Sequence, residues 1–118
     1  MNIKKNNLIK IRIQLNNNFH IGPGKVLLLE KIEETGSLSK AAKSMGLSYR
    51  KAWRLINELN NSSIRKLVYA KPGGKGVRGS QLSEEGKDFI RLFKKIENNL
   101  TLITEKEKKD LEKIFGKL

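Results

Sequence analysis

Residues 37–60 read SLSKAAKSMGLSYRKAWRLINELN, and the fold turns on this stretch. Ser37 suits the cap of a short helix on which Leu38, Ala41, Ala42 and Met45 share a face. Gly46 suits the left-handed residue that ends such a helix, and Leu47 can plug the space before the next. Ser48 suits the cap of a further helix, 48–61, with Ala52, Trp53, Ile56 and Leu59 on one side and the polar run Asn60, Asn61, Ser62, Ser63 closing it. Small Ala41 and Ala42 let the two helices approach closely. A tight turn between two such helices is the layout of a helix-turn-helix, whose second helix enters the major groove of DNA. A helical hairpin inside an ordinary core could share the pattern, so the decision passes to charge.

The chain has 118 residues, 25 Lys and Arg against 12 Asp and Glu, and a formal net charge of +13. That size suits one domain with an added helix or two. Residues 1–82 carry sixteen basic and four acidic side chains, whereas 83–118 carry nine and eight. The excess is therefore local, as it must be to displace counterions from a phosphate backbone. Nucleic acid becomes the leading partner class.

On the 48–61 helix the periodicity turns Arg50, Lys51, Arg54, Asn57 and Glu58 outward. Arg can donate two bonds to guanine and Asn can pair with adenine, so Arg50 and Arg54 are the expected base readers, with Asn57 beside them. Lys51 is expected on phosphate. Tyr49, at the edge of the apolar stripe, is expected to pack in preference to touching a thymine methyl. Trp53 is expected in the core.

Outward from this stretch, Ile9, Ile11, Ile13 and Leu15 alternate with Lys10, Arg12 and Gln14, the period of a strand covered on one face. Gly22 and Pro23 then open a helix on which Val26, Leu27, Leu29 and Ile32 recur until Thr35 and Gly36. Beyond the reading helix, Leu67, Val68 and Tyr69 suit a strand, 71–80 a Gly-rich loop, and Gln81 and Leu82 a returning strand, which together make a wing. Lys71, Lys75 and Arg78 lie among Gly73, Gly74, Gly76 and Gly79, a basic loop able to follow a backbone or enter a minor groove. Ser83, Glu84 and Glu85 start a helix whose Phe89, Phe93, Ile96, Leu100 and Ile103 step four and three residues apart, a short coiled-coil seam. That seam suits a dimer interface and equally the core face of a monomer's last helix. Leu111, Ile114, Phe115 and Leu118 offer one more apolar stripe.

Other chemistries find little support. There is no Cys, His20 has no second His or Cys for a metal, and Glu33/Glu34 and Glu84/Glu85 are sequence neighbours that diverge on a helix. GGKGVRGS lacks the Walker spacing. No catalytic set, cofactor or metal is expected, and no apolar run has the length of a secretory signal or a membrane span.

These residues resemble the N-terminal DNA-binding domain of molybdate-responsive transcriptional regulators of the ModE type, from about Leu8 to Leu102. The resemblance rests on the leading alternating strand, on GPGKVLLLEKIEETGSLSKAAKSMGLSYRKAWRLINELN, on the LVY strand and on GGKGVRGSQLSEEG. It implies a winged helix-turn-helix, homodimerisation through flanking helices and palindromic operators. By position it implies DNA contacts at Ser48, Tyr49, Arg50, Lys51 and Arg54, with wing contacts at Lys75 and its Gly neighbours. Members of that family carry C-terminal oxyanion-binding domains; with the sequence ending at Leu118, this chain alone is expected to bind no molybdate.

The expected architecture is mainly α with a small β wing: a winged helix-turn-helix over 1–83 and a helical extension over 84–118, the latter a dimerisation element. The expected function is a cytoplasmic, nucleoid-associated regulator that binds double-stranded DNA in a sequence-specific manner as a homodimer. The alternative is an architectural or nonspecific DNA binder, in which charge does nearly everything and helix 48–61 only anchors. A protein-interaction module would tolerate loss of the basic face, and RNA duplexes are a poor fit because their major groove is deep and narrow.

Overall fold

The computed structural model describes residues 9–16, 18–72 and 78–117. Its elements run β1 (Ile13–Gln14), β2 (His20–Ile21), α1 (Pro23–Thr35), α2 (Leu38–Ser44), α3 (Tyr49–Ser62), β3 (Val68–Pro72), β4 (Arg78–Leu82), α4 (Glu84–Ile103) and α5 (Glu105–Phe115). Two antiparallel pairs form, β1 with β2 and β3 with β4, the second registered from Val68 opposite Leu82 to Pro72 opposite Arg78. The expected winged helix-turn-helix, mainly helical with a small β wing, is the observed architecture.

The hub is α1. Gly22 stands extended at its start with Pro23 in the first turn, and Gly36 ends it in the left-handed region. Leu28, Leu29 and Ile32 are wholly buried, because α1 is contacted by α2, by β4 and by α4. Burial of each of these side chains contributes roughly 1.5–3 kcal/mol. Packing on several sides also corrects the expected face: Leu28 is inside, whereas Leu27, expected inside, is 42% exposed. A helix wedged between three partners buries more than one stripe, and the single-stripe reading chose the wrong neighbour.

The helix-turn-helix follows the expected caps. The Ser37 hydroxyl accepts from the Lys40 amide and that of Ser48 from the Lys51 amide, each at 3.1 Å. Gly46 has φ 68°, a conformation open to glycine, and turns the chain between α2 and α3. Ala41, Ala42 and Ala52 are buried where α2 meets α3, with Leu38, Met45 and Leu47 packed around them.

Two strand expectations change in extent. The alternating run shows half-buried Ile9, Ile11 and Ile13 between exposed Lys10, Arg12 and Gln14, and β1 covers Ile13–Gln14 of it. Its partner ends at Ile21, where Gly22 and Pro23 turn into α1, so the ladder runs out of backbone. In the wing the strands are longer than expected: Lys71 and Pro72, and Arg78, Gly79 and Ser80, belong to β3 and β4 and not to a loop. The Ser80 amide donates to the Gly36 carbonyl at 2.9 Å, which ties β4 to the end of α1.

The expected seam on α4 divides in two. Phe93 is buried and meets Phe89 edge-on at 6.2 Å between ring centroids, and Lys94 pairs with Glu30 of α1 at 2.7 Å, so the first half of the seam is this chain's own core. Farther along, Ile96 and Ile103 stand exposed, as do Leu102, Leu111, Ile114 and Phe115. No helix among the described residues is long and apolar enough to cross a membrane.

Where α4 begins, the Ser83 hydroxyl accepts from the Gly86 amide and donates to the Lys66 carbonyl at 2.7 Å, while the Ser83 amide donates to the Leu67 carbonyl. This holds Gly86 so close to β3 that a Cβ there would stand 2.5 Å from the Leu67 carbonyl oxygen. Gly86→Ala should therefore destabilise the protein by about 2 kcal/mol despite the better helix propensity of alanine. Gly24→Ala, where no atom lies within 4 Å of the added Cβ, should not; denaturant unfolding of the two variants tests the contrast.

Candidate nucleic-acid interface

The geometry of α3 is set by what it buries. Ala52, Ile56 and Leu59 are inside and Leu55 packs against them. At roughly 100° per residue, the face opposite this stripe is centred on Arg50, Arg54 and Asn57, all exposed. Arg50, Lys51 and Arg54 form none of the ion pairs among the described residues, in contrast to α4 and α5. There, Glu84 pairs with Lys87, Asp88 with Arg91, Glu105 with Lys108 and Asp110 with Lys113. Positive charge on the reading helix thus stands outside the ion pairs among the described residues, and that on the C-terminal helices is partly answered in place. Ser48 is exposed, and because its oxygen accepts the capping bond its proton remains to be donated outward.

Two aromatic expectations are overturned. Trp53, expected in the core, is 52% exposed, and Tyr49, expected to pack, is 57% exposed. Leu55 extends the apolar stripe on its far side, which rotates the buried face away from Trp53 and leaves both rings on the flank toward the wing. That signal was present in the sequence, in Leu55 itself.

Tyr49 and Trp53 look into a groove of about 500 Å³ between α3 and the wing, with Tyr69 of β3 on its opposite wall and Ser37 and Ser39 at its end. Lys71 is exposed on β3, two residues beyond Tyr69, and Arg78 stands in β4 opposite Pro72. Lys75, with Gly73, Gly74 and Gly76, lies outside the described residues.

The wing is fixed to the reading helix by one side chain that sequence reasoning took for a helix terminator. Asn60 accepts from the Leu67 amide at 2.9 Å and the Val68 amide at 3.2 Å, and donates to the Val68 carbonyl at 2.8 Å. One side-chain amide thus satisfies three backbone groups at the start of the wing, at Leu67 and Val68, and ties it to the end of α3. Position alone carried no sign of this, since the partners lie beyond the end of the helix.

His20 is in β2, with its Nε2 at 2.6 Å from the Arg12 guanidinium. Desolvation, then the charges of Arg12 and Lys25, hold its pKa below the usual histidine value, against a smaller opposing influence of Glu58. Lys25 donates to the His20 carbonyl and lies 4.4 Å from the Phe19 ring centroid; burial lowers its pKa. No group of His, Cys, Asp and Glu among the described residues could hold a metal ion.

Residues 25–87 match the family described as bacterial regulatory helix-turn-helix protein, lysR family. The chain is 38% identical over 85 residues to the transcriptional regulator ModE of Yersinia pestis and, over the same length, to the DNA-binding transcriptional dual regulator ModE of Escherichia coli K12. In both cases the match covers 72% of this chain and 32% of the relative. It is 36% identical over 91 residues to the molybdenum-pterin-binding protein MopB of Rhodobacter capsulatus, covering 77% of this chain and 34% of that one. The chain thus spans about a third of the length of the curated relatives it matches, and the resemblance to the ModE reading head expected from the sequence is what these similarities show.

Trp53 is the single tryptophan, so its fluorescence reports on the groove. The free protein should show emission readily quenched by acrylamide, and DNA should protect it. Trp53→Phe should change unfolding stability by less than about 1 kcal/mol, because the ring is not core.

Proposed function

The chain belongs to the bacterial regulatory helix-turn-helix proteins of the lysR type, and we propose that it reads double-stranded DNA in a sequence-specific manner, with α3 in the major groove and the wing on the adjacent backbone or minor groove. One observation carries this reading: Arg50, Arg54 and Asn57 share the exposed centre of α3, with neither arginine in an ion pair among the described residues, beside a wing held by Asn60. Arg50 and Arg54 would each offer a planar donor fork to guanine O6 and N7, and Asn57 a donor and acceptor to adenine. Ser48, Lys51, Lys71, Lys75 and Arg78 would contact phosphate, fixing register without reading sequence. Tyr49, exposed on the wing side, is available to a thymine methyl.

The active form in this proposal is a homodimer on a palindromic operator, two α3 helices entering successive major grooves about one helical turn apart. What supports it is the exposed apolar surface of α4 and α5, at Ile96, Leu102, Ile103, Ile114 and Phe115, which a second copy would cover. The role is regulatory and not catalytic, exercised at the nucleoid in the cytoplasm. Molybdenum in the relatives' names is a property of those proteins, and for residues 1–118 the proposal is DNA reading with no molybdate bound.

Selection of bound fragments from sheared genomic DNA tests this reading. A palindrome should be enriched equally with and without molybdate. Arg54→Ala should cost about 1–3 kcal/mol and relax base preference, while Lys75→Ala should weaken all sequences alike and flatten the salt dependence. Uniform recovery of every fragment, unaffected by Arg54→Ala, would favour an architectural binder instead. Replacing Leu102 and Ile103 together by Glu should give a monomer in sedimentation and weaken the palindrome more than a half-site; an unchanged dimer would place the interface elsewhere.

A further inference from the structure

The groove beside the wing occupies one flank of α3. On the other flank lies a cleft of about 520 Å³ bordered by Lys10, Arg12, His20, Lys25, Lys51 and Leu55. Its cations come from three separate parts of the chain: the strand run before β1, the start of α1 and the first turn of α3. Lys10, Arg12 and Lys51 are exposed and take no part in the ion pairs among the described residues. Glu58 of α3 is the carboxylate that acts on His20 and Lys25, and Lys25 is further engaged by the His20 carbonyl and the Phe19 ring. Like charges gathered in one concavity repel unless an anion answers them. The start of α1 adds to the field there, since no side chain caps Gly22, no acid stands in the first turn, and the space over Gly24 is open.

The position of the cleft identifies the anion. Lys51 lies in the same helical turn as Arg50, yet on the side of α3 away from Tyr49 and Trp53. A helix about 10–12 Å across fills a major groove about 12 Å wide, so a phosphate strand runs along each of its flanks. With α3 in that groove, the wing would stand beside one strand and the cleft would open beside the other.

We propose that this cleft is a docking site for DNA backbone phosphate, gripped by Lys10, Arg12 and Lys51, on the strand that borders α3 opposite the wing. The inference rests on the DNA-reading function proposed above and extends its footprint to the segment before β1. A free oxyanion shares the chemistry, and the experiment separates the two sources.

The full chain is titrated by fluorescence anisotropy onto its selected operator and onto a scrambled duplex across a salt series. Compared are wild type, Lys10→Gln with Arg12→Gln, and the conservative Arg12→Lys. The double variant should make the slope of log affinity against log salt shallower by about 1–2, with the same fold loss on both duplexes, and Arg12→Lys should retain the wild-type slope. A folded double variant, shown by wild-type Trp53 emission, that keeps the wild-type slope overturns the cleft while leaving DNA reading by α3 intact. A wild type with no affinity for either duplex removes both. In parallel, inorganic phosphate is titrated into the DNA-free protein and followed by the His20 ring resonances. Absence of saturable binding agrees with a backbone site, whereas saturable binding lost in the double variant, together with an unchanged DNA slope, assigns the cleft to a free oxyanion and overturns the proposal.

Discussion

Everything in this structure is hung on the burial of one helix. Leu28, Leu29 and Ile32 of α1 are wholly buried where α2, β4 and α4 meet this helix. The helix-turn-helix takes its orientation from α1 through α2, with the small Ala41 and Ala42 letting α3 come close. The wing takes its root from the same helix, through the bond from the Ser80 amide to the Gly36 carbonyl at its C-terminus. Loss of packing on α1 would therefore disorganise α3 and the wing together.

A second economy of the fold is electrostatic. Glu84 and Asp88 of α4 and Glu105 and Asp110 of α5 each stand three residues from a lysine or arginine of the same helix and pair with it there. Such exposed pairs contribute little stability, roughly 0–1 kcal/mol each. Among the described residues, Arg50, Lys51 and Arg54 of α3 and Lys10 and Arg12 before β1 stand outside every such pair. The polar, exposed centre of α3 lies between aromatic Tyr49 and Trp53 on one flank and the basic cleft on the other.

Much of this was legible in the residues. The caps at Ser37, Ser48 and Ser83, the left-handed Gly46 and the alternation of Ile9, Ile11 and Ile13 are local matters, governed by a hydroxyl's reach or a backbone dihedral, and they stand as read. The resemblance to ModE reading heads pointed the same way. Errors came where burial depends on how many neighbours an element acquires. Leu27 against Leu28 could not be settled by a single apolar stripe when α1 is covered on several sides, and Trp53 was assigned to a core that Leu55 had already claimed. The wing strands ran longer than their apolar residues suggested, because Lys71, Pro72 and Arg78 are placed by strand pairing, which apolar periodicity does not report.

By itself the sequence determined the order of α1 to α4 and of the wing strands, the small-residue contact in the helix-turn-helix, the concentration of positive charge before Ser83 and the identity of the polar outward side chains on α3. These follow from local propensity, periodicity and count. Tertiary structure alone decided that Asn60 fastens β3 to the reading helix, that the first half of the α4 seam is consumed in this chain's core while Leu102, Ile103, Ile114 and Phe115 stay uncovered, and that Lys10, Arg12, Lys25 and Lys51 gather in one cleft. The reason is that each of these is a contact or a convergence between residues far apart in the chain, set by how the elements pack on α1, and no window of sequence contains both partners.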